Sequence, residues 1–355
     1  MKSKRRLALL LLALSGLLAT GGCRARKGSE RPTIEITRVP PADKGGPDIA
    51  EAIEGSVHGM RSGQHVVVYA RSRAWWLQPG PEQPFAPIER GSTWTTSTHL
   101  GTEYAALLVE PDYRPPAILD TLPELGAAVV ARVVVAGDPS KQVVRHTLRW
   151  GGYEWTIRGT PSDRGGQNLY DPSNAWTDDR GALHLRLAGS PGNWTCAQII
   201  LSRTLGYGTY SFVVGDVSAL DPAAVLAFYT LDGVSSARDD NPREWNLAIS
   251  RWGDPTRRNA QYVIQPSYAH RNTYLFDVPP GALTHTVRWE PGRLTFRTLR
   301  GSTAGSPLVA EHVFTEAVPV PGEGRFRINL YDFQRGPKQV ATGGEFVIAK
   351  FEFLP

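Results

Sequence analysis

The sequence has few of the residues that build metal or disulfide frameworks. Its 355 residues include only two cysteines, Cys23 and Cys196, and no spacing of Cys or His typical of a zinc site. Cys196 lies in the strand-like run Trp194–Ile200 with no activating histidine nearby in sequence, so we expect a buried structural thiol rather than a nucleophile. We expect no metal site and no cofactor.

The chain also lacks a strong excess of charge of either sign. It carries 39 Lys and Arg against 34 Asp and Glu, but Lys2, Lys4, Arg5 and Arg6 lie in an N-terminal segment that we expect to be removed. Subtracting these four from 39 leaves 35 basic against 34 acidic residues. Proteins that bind nucleic acid need a basic patch to displace counterions from phosphates, and we therefore expect no nucleic-acid partner.

No apolar run is long enough to span a bilayer. The run Leu7–Ala19 follows a basic start and precedes Thr20–Cys23, a pattern typical of a secretory signal. A cysteine directly after two small residues resembles a bacterial lipobox, which implies a lipoprotein signal peptide over residues 1–22 and a lipid on Cys23. Ordinary cleavage near Ala19 or Gly22, which would leave a secreted protein, is the alternative.

The lipobox resemblance also implies a membrane partner, through the lipid on Cys23. The residue after this cysteine is Arg24, not the Asp that often marks retention in the inner membrane. We therefore expect a place in the cell envelope, at the outer membrane or the cell surface. The polar residues 23–33 lack periodicity and are interpreted as a tether.

Long stretches free of helix breakers are rare, because 36 Gly and 28 Pro punctuate the chain. This favours an all-β fold. Residues 34–137 contain short strand-like runs between turns and predict an immunoglobulin-like β-sandwich. A linker-like segment, Gly137–Gln142, follows, and residues 143–355 have the size of a double-sheet jelly roll.

The segment Arg243–Gly253 is predicted to form a strand with two different faces. Alternation places Trp245, Leu247 and Ile249 on an apolar face that fits the layer between two sheets. The opposite, concave face is expected to meet solvent. It carries Glu244, Asn246, Ala248, Ser250 and Trp252.

Seven segments, taken in order, resemble glycoside hydrolase family 16. They are Gly151–Ile157, Tyr170–Trp176, Asp179–Arg186, Leu205–Phe212, Arg243–Gly253, Asn259–Ile264 and Thr284–Phe296. The resemblance covers nearly all of residues 143–355 and implies a concanavalin A-like jelly roll of two curved antiparallel sheets. It leaves open whether a structural calcium ion lies on the convex sheet, as in some relatives.

The family resemblance assigns catalytic positions, but the residues that carry the chemistry are degenerate. Matched to the family's Glu-x-Asp-x-Glu strand, Glu244 is the nucleophile position, Asn246 the supporting position and Ala248 the acid/base position. A retaining glycosidase needs two carboxylates, and the methyl group of Ala248 can neither give nor take a proton. The sequence thus leaves catalysis open and favours a protein without efficient hydrolysis.

The partner implied by the resemblance is a polysaccharide, bound by a monomeric protein. Aromatic rings stack on the apolar faces of pyranose rings, and side-chain amides form hydrogen bonds with sugar hydroxyls. For each aromatic residue, packing in the core is an equally open alternative to ligand contact. The candidate ligand-binding residues are Trp252, Gln261, Gln265, Asn174 and Trp176.

Three functions therefore compete. The leading hypothesis is a surface-anchored lipoprotein that binds polysaccharide through a catalytically degenerate cleft. The first alternative is a weakly active endo-acting β-glycan hydrolase or transglycosylase that uses Glu244. The second is a non-enzymatic structural or interaction module of the cell envelope.

Overall fold

The computed structural model describes residues 31–355 except 46–48, 82, 160–167, 233–243, 304 and 334–338. Within these ranges the chain is all-β, as the sequence predicts, with 24 strands, no α-helix and two 3-10 helices at Pro172–Asn174 and His270–Asn272. None of the described helices is long or apolar enough to cross a membrane. The predicted signal peptide, the lipidation site Cys23 and most of the predicted tether lie outside the described residues.

The first part of the chain forms two small antiparallel sheets. A three-stranded sheet has the order β1-β2-β5, and a five-stranded sheet has the order β7-β4-β3-β6-β8. The strands are β1 (Thr33–Arg38), β2 (Ala50–His58), β3 (His65–Ser72), β4 (Ala74–Gln78), β5 (Thr93–His99), β6 (Glu103–Val109), β7 (Ile118–Leu119) and β8 (Val129–Ala136).

Strand β3 contributes apolar side chains to two separate clusters, one on each of its faces. Its residues Val66 and Val68 face a cluster that includes Ile53 of the three-stranded sheet, while Val67 and Tyr69 face a second cluster on the other side. A strand buried on both faces reads as a continuous apolar run, which is what the sequence shows. The immunoglobulin-like topology of residues 34–137 and the boundary at 137–142 stay predictions.

The second part of the chain contains sixteen strands in one continuous ladder. They are β9 (His146–Trp150), β10 (Tyr153–Ile157), β11 (Leu169–Tyr170), β12 (Ala175–Thr177), β13 (Leu183–Ser190), β14 (Asn193–Leu201), β15 (Gly208–Val214), β16 (Ala224–Leu231), β17 (Trp245–Ile249), β18 (Ala260–Ile264), β19 (Thr273–Phe276), β20 (Leu283–Glu290), β21 (Arg293–Arg300), β22 (Leu308–Phe314), β23 (Arg325–Asp332) and β24 (Gly344–Leu354).

The ladder folds over at the β13–β14 hairpin into two layers. We call β19-β18-β17-β16-β23-β14-β10-β9 the front sheet and β12-β13-β24-β15-β20-β21-β22 the back sheet. Both layers supply one shared core, in which Phe212 of the back sheet stacks on Phe228 of the front sheet with ring centroids 4.2 Å apart. The predicted sandwich with jelly-roll character is therefore confirmed.

Candidate functional site

Strand β17 lies inside the front sheet, between β16 and β18. Trp245, Leu247 and Ile249 point into the core between the two sheets, where the Trp245 ring lies 6.1 Å from that of Phe296. The predicted alternation of β17 is thus confirmed. The opposite face of the strand, with Asn246 and Ala248, forms part of the outer face of the front sheet.

This outer face is much less open than the sequence predicts. Glu244 is only 1% exposed and Ala248 only 2%, whereas Asn246 is half-buried. The expectation of a solvent-facing row along β17 is therefore wrong for Glu244, Ala248 and Ser250. Alternation assigns a side chain to a face, but it does not report what covers that face.

The position of Ala248 is apolar as well as buried. Its methyl group belongs to an apolar cluster on the outer face of the front sheet. This cluster is distinct from the core between the two sheets. The cluster consists of Val225, Ala227, Tyr229, Leu231 and Ala248, with Trp252, Tyr331 and Phe333 packed against it. The position that the sequence resemblance matches to an acid/base carboxylate is thus surrounded by hydrocarbon side chains.

Glu244 is positioned by its neighbours on the strand and across the ladder. Asn246 donates a hydrogen bond from Nδ2 to Glu244 Oε1 over 3.2 Å, and the backbone N–H of Gln265 donates to the Glu244 carbonyl over 3.1 Å. The amide of Asn246 can orient the carboxylate but brings no proton chemistry. Its own Oδ1 is buried and has no hydrogen-bond partner among the described residues.

A network of polar side chains crosses the front face beside this pair. Arg158 Nη1 donates to Gln198 Oε1 over 3.0 Å, and Gln198 Nε2 donates to the Tyr229 hydroxyl over 2.8 Å. Asn329 Nδ2 donates to the Tyr170 hydroxyl over 3.1 Å, while Asn329 Oδ1, like that of Asn246, is buried without a partner in the described part of the chain.

Tyr170 is held as a neutral phenol in this network. Burial raises the pKa of its hydroxyl well above the usual range, against the opposing charge of Arg158, which lies 4.7 Å over the ring. The sequence analysis missed Arg158, Gln198 and Asn329. The available signals were the single polar residue Gln198 within the apolar run Ala197–Leu201 and the alternation of polar with apolar residues in Arg325–Leu330, which contains Asn329.

Glu154, a carboxylate of the front sheet on β10, lies far from Glu244, whereas the buried Asp232 directly follows β16, the strand that pairs with β17. Glu154 of β10 is separated from β17 by β14, β23 and β16, which at about 4.8 Å per step places it roughly 19 Å away. Retaining glycosidases hold their two carboxyl groups about 5 Å apart. Glu154 instead lines a cavity of about 380 Å³ at the β9–β10 hairpin. Asp239 and Asp240, the two acidic residues just upstream of Glu244 in the sequence, lie outside the described residues.

Three predicted ligand-binding residues surround β17. Gln261 pairs with Ala248 across the ladder and is half-buried on the same face. Trp252, also half-buried, lies past the end of the strand with the Arg257 guanidinium 4.8 Å from its ring. Gln265 follows β18, and its Oε1 accepts a hydrogen bond from the Ser267 N–H over 2.8 Å.

The other two predicted ligand-binding residues lie elsewhere, which corrects the expectation of one shared cleft. Asn174 is buried, and its Nδ2 donates to Thr195 Oγ1 over 2.9 Å, so it holds the 3-10 helix against β14. Trp176 pairs with His184 on β13, whose neighbours Leu183 and Leu185 point into the core. Trp176 therefore lies on the outer face of the back sheet, stacked on His184 at 5.1 Å.

No family model matches the chain, and no curated protein matches it. Among solved structures, a beta-glucanase of Bacillus licheniformis is similar at 17% identity and a TM-score of 0.45, over 57% of this chain and 92% of that chain. A pseudo beta-1,3-glucanase of Mycobacterium tuberculosis is similar at 16% identity and a TM-score of 0.42, over 55% and 88%.

A beta-1,3-1,4-glucanase derived from a mouse hindgut metagenome is similar at 15% identity and a TM-score of 0.42, over 56% of this chain and 92% of that chain. Identities and TM-scores of this size assign no activity to this protein.

One residue outside β17, Cys196, has a structural role. Cys196 is a free, buried thiol whose pKa burial raises to about 12, as expected for a structural cysteine. Among the described residues, no group of three or more His, Cys, Asp or Glu side chains could hold a metal ion.

Proposed function

We propose that the protein binds a polysaccharide on the front sheet around Glu244 and Asn246, and that it does not cleave this ligand efficiently. The observation that carries the proposal is the pair of buried amide oxygens, Asn246 Oδ1 and Asn329 Oδ1, that have no partner within the described ranges. Both belong to the same face of the same sheet. Asn246 also orients the Glu244 carboxylate, and Asn329 lies two strands away, across Ala227 from Ala248.

A buried acceptor without a donor costs about 1–3 kcal/mol, so a ligand that displaces the covering atoms and supplies a donor gains free energy by reaching it. Sugar hydroxyls are such donors. Gln261 adds an accessible amide on the same face, and the half-buried Trp252 offers an apolar ring for a pyranose face. Hydrogen-bond acceptors, a carboxylate and an aromatic ring thus occur along one face of the sheet, at Asn329, Glu244 and Trp252, and these are groups that a glycan chain can contact.

The environment of Ala248 supports binding without hydrolysis. General acid/base catalysis contributes about two to four orders of magnitude in rate, and no proton-transfer group occupies this position. The apolar cluster around the methyl group also gives little room for a water molecule to act there. Any hydrolysis by Glu244 alone is expected to be a trace.

A second candidate is a structural or interaction module of the cell envelope that keeps only the fold. The observation that favours it is the 1% exposure of Glu244, because a sugar must reach this face to be bound there. The two candidates differ in one measurable property, which is retention by a polysaccharide.

The anchoring of the protein is part of the same proposal. We infer from the sequence that a lipid on Cys23 holds a monomeric protein in the cell envelope, at the outer membrane or the surface. The polar segment 23–33 would then serve as the tether to the folded part.

The test uses full-length protein in detergent, run on native gels that contain laminarin, mixed-linkage glucan, agar or carrageenan. Retarded migration is expected in at least one gel, together with no release of reducing ends above background. Asn246→Ala and Gln261→Ala should weaken the retardation. Gln142→Ala, which changes an exposed glutamine outside the sandwich, is the matched control and should behave as wild type.

Two outcomes contradict the proposal in different ways. Robust release of reducing ends that Glu244→Gln abolishes would establish the hydrolase. Unretarded migration in every gel, with the folded state verified by circular dichroism, would favour the structural module instead.

A further inference from the structure

Tyr268 is the most exposed large hydrophobic side chain in the described part of the chain, with 87% of its surface accessible. It lies between β18 and the second 3-10 helix, His270–Asn272. Single exposed apolar residues are common on protein surfaces, so exposure alone says little. Two further observations point to a binding role for this tyrosine. The surrounding loop is held in place by hydrogen bonds, and it begins beside Glu244.

The loop that carries Tyr268 is fixed by hydrogen bonds on both sides of it. The Ala269 N–H donates to the Pro266 carbonyl over 3.2 Å, and Asn272 Nδ2 donates to the same carbonyl over 3.1 Å. Thr273 Oγ1 donates to the Ser267 carbonyl over 3.1 Å. Because these hydrogen bonds already fix the loop, its backbone loses little conformational entropy when a ligand stacks on the Tyr268 ring.

The loop starts directly beside the candidate site. The Gln265 N–H donates to the Glu244 carbonyl, so these two residues are neighbours across the β17–β18 ladder. Tyr268 lies three positions after Gln265, and even a fully extended chain of that length spans only about 10 Å. The backbone of Tyr268 is therefore within about 10 Å of the residue that is hydrogen-bonded to the Glu244 backbone.

We propose that Tyr268 is a stacking platform for a pyranose ring of the bound polysaccharide, at the rim of the front sheet beyond Glu244. This inference rests on the proposed function and adds a residue that determines affinity. The apolar face of the sugar would lie on the phenol ring, where aromatic contacts are worth enough to change affinity measurably. The half-buried Gln265 beside it supplies an amide for the hydroxyls at the edge of that sugar.

The test compares the binding constants of full-length wild type, Tyr268→Ala and Tyr268→Phe for whichever of the four gel polysaccharides retards the wild type. Tyr268→Ala should bind about three- to tenfold more weakly, and Tyr268→Phe should bind as wild type because the ring is kept. Leu308→Ala removes an exposed apolar side chain from the back sheet and is the matched control, expected to change nothing.

A chemical readout complements the variants. Tetranitromethane should nitrate the exposed Tyr268, and mass spectrometry of the peptide that contains it should show protection when the polysaccharide is present. If Tyr268→Ala binds as tightly as wild type while Asn246→Ala does not, the platform is overturned and the proposed function stands. If the wild type is retained by none of the polysaccharides, the proposed function fails and the platform fails with it.

Discussion

Asn246 donates a hydrogen bond from Nδ2 to Oε1 of Glu244 over 3.2 Å, so a neutral amide orients a carboxylate that is almost completely buried. In the family that the sequence resembles, an Asp takes this supporting position. The amide preserves the orientation of the carboxylate without adding a second negative charge. The pair therefore keeps an oriented carboxylate, and the position that the resemblance matches to the acid/base residue lies two residues beyond Asn246, at Ala248.

Ala248→Glu is expected to destabilise the protein, since it places a carboxylate in the apolar cluster with Val225, Ala227, Tyr229 and Leu231. Burial would raise the pKa of the new side chain above its ordinary value of about 4.3. The folded state would then bind more protons than the unfolded state, so stability would fall as pH rises through this interval. Urea unfolding at pH 5 and pH 8 should show the larger loss at pH 8, by about 1.4 kcal/mol per unit of pKa shift.

The neutral variant Ala248→Gln is the control for this change. It has a similar size, and its effect on the free energy of unfolding should be the same at both pH values. A variant Ala248→Glu as stable as wild type at pH 8 would show that water reaches this position, and that the cluster is open.

His285→Gln tests the core between the two sheets. His285 Nδ1 lies 2.8 Å from Thr298 Oγ1, and burial lowers the pKa of the imidazole to about 3. Below the ordinary pKa of about 6.5 the unfolded chain binds a proton that the folded chain excludes, so wild type loses stability as pH falls. The stability advantage of wild type over His285→Gln should therefore shrink between pH 7 and pH 4, by up to about 1.4 kcal/mol per pH unit.

Urea unfolding at several pH values measures this difference directly. His270→Gln, at an exposed histidine in the second 3-10 helix, should leave the pH dependence unchanged. A constant difference between wild type and His285→Gln across the pH range would mean that the imidazole binds its proton as readily in the folded protein as in the unfolded chain.

Much of the fold follows from local pattern. The frequency of Gly and Pro predicts an all-β chain, and the alternation of Trp245, Leu247 and Ile249 correctly assigns the core face of β17. Both signals depend on a residue and its immediate neighbours. The hydrogen bond from Asn246 to Glu244 also follows, because side chains two apart on a strand share a face.

The candidate site is less predictable, because burial depends on contacts between distant segments. The apolar cluster around Ala248 draws on β16 and on residues near the end of β23, which lie about 20 and 80 positions away in sequence. Trp176 shows the same limit, since only the pairing of β12 with β13 decides that it belongs to the back sheet. The exposure of Tyr268 likewise depends on the conformation of one loop, which the periodicity of apolar residues in the sequence does not predict.

Cys23→Ala tests the anchoring proposal, which depends on the sequence alone. The variant is expected to leave the membrane fraction and to partition into the aqueous phase of Triton X-114, whereas wild type should enter the detergent phase. Cys196→Ala removes the other cysteine from the buried core and should still partition with detergent. Aqueous partitioning of processed wild type would instead support ordinary signal cleavage and secretion.

His184→Gln tests an electrostatic contact on the outer face of the back sheet. His184 Nδ1 lies 2.7 Å from Glu345 Oε1, and Nε2 lies 3.2 Å from Asp178 Oδ2. Burial disfavours the charged ring, but the hydrogen bonds and negative charges of Glu345 and Asp178 together outweigh it and raise the pKa of His184. A raised pKa means that the contribution to stability is complete below about pH 6.5 and is lost as pH rises through the folded-state value.

The variant His184→Gln should therefore destabilise the protein more at pH 5.5 than at pH 8.5, as measured by urea unfolding at both values. His146→Gln, at an exposed histidine on β9, provides the matched control and should show no such difference. An equal loss at both pH values would contradict the ion pair and leave only the stacking of His184 on Trp176, which survives in either charge state.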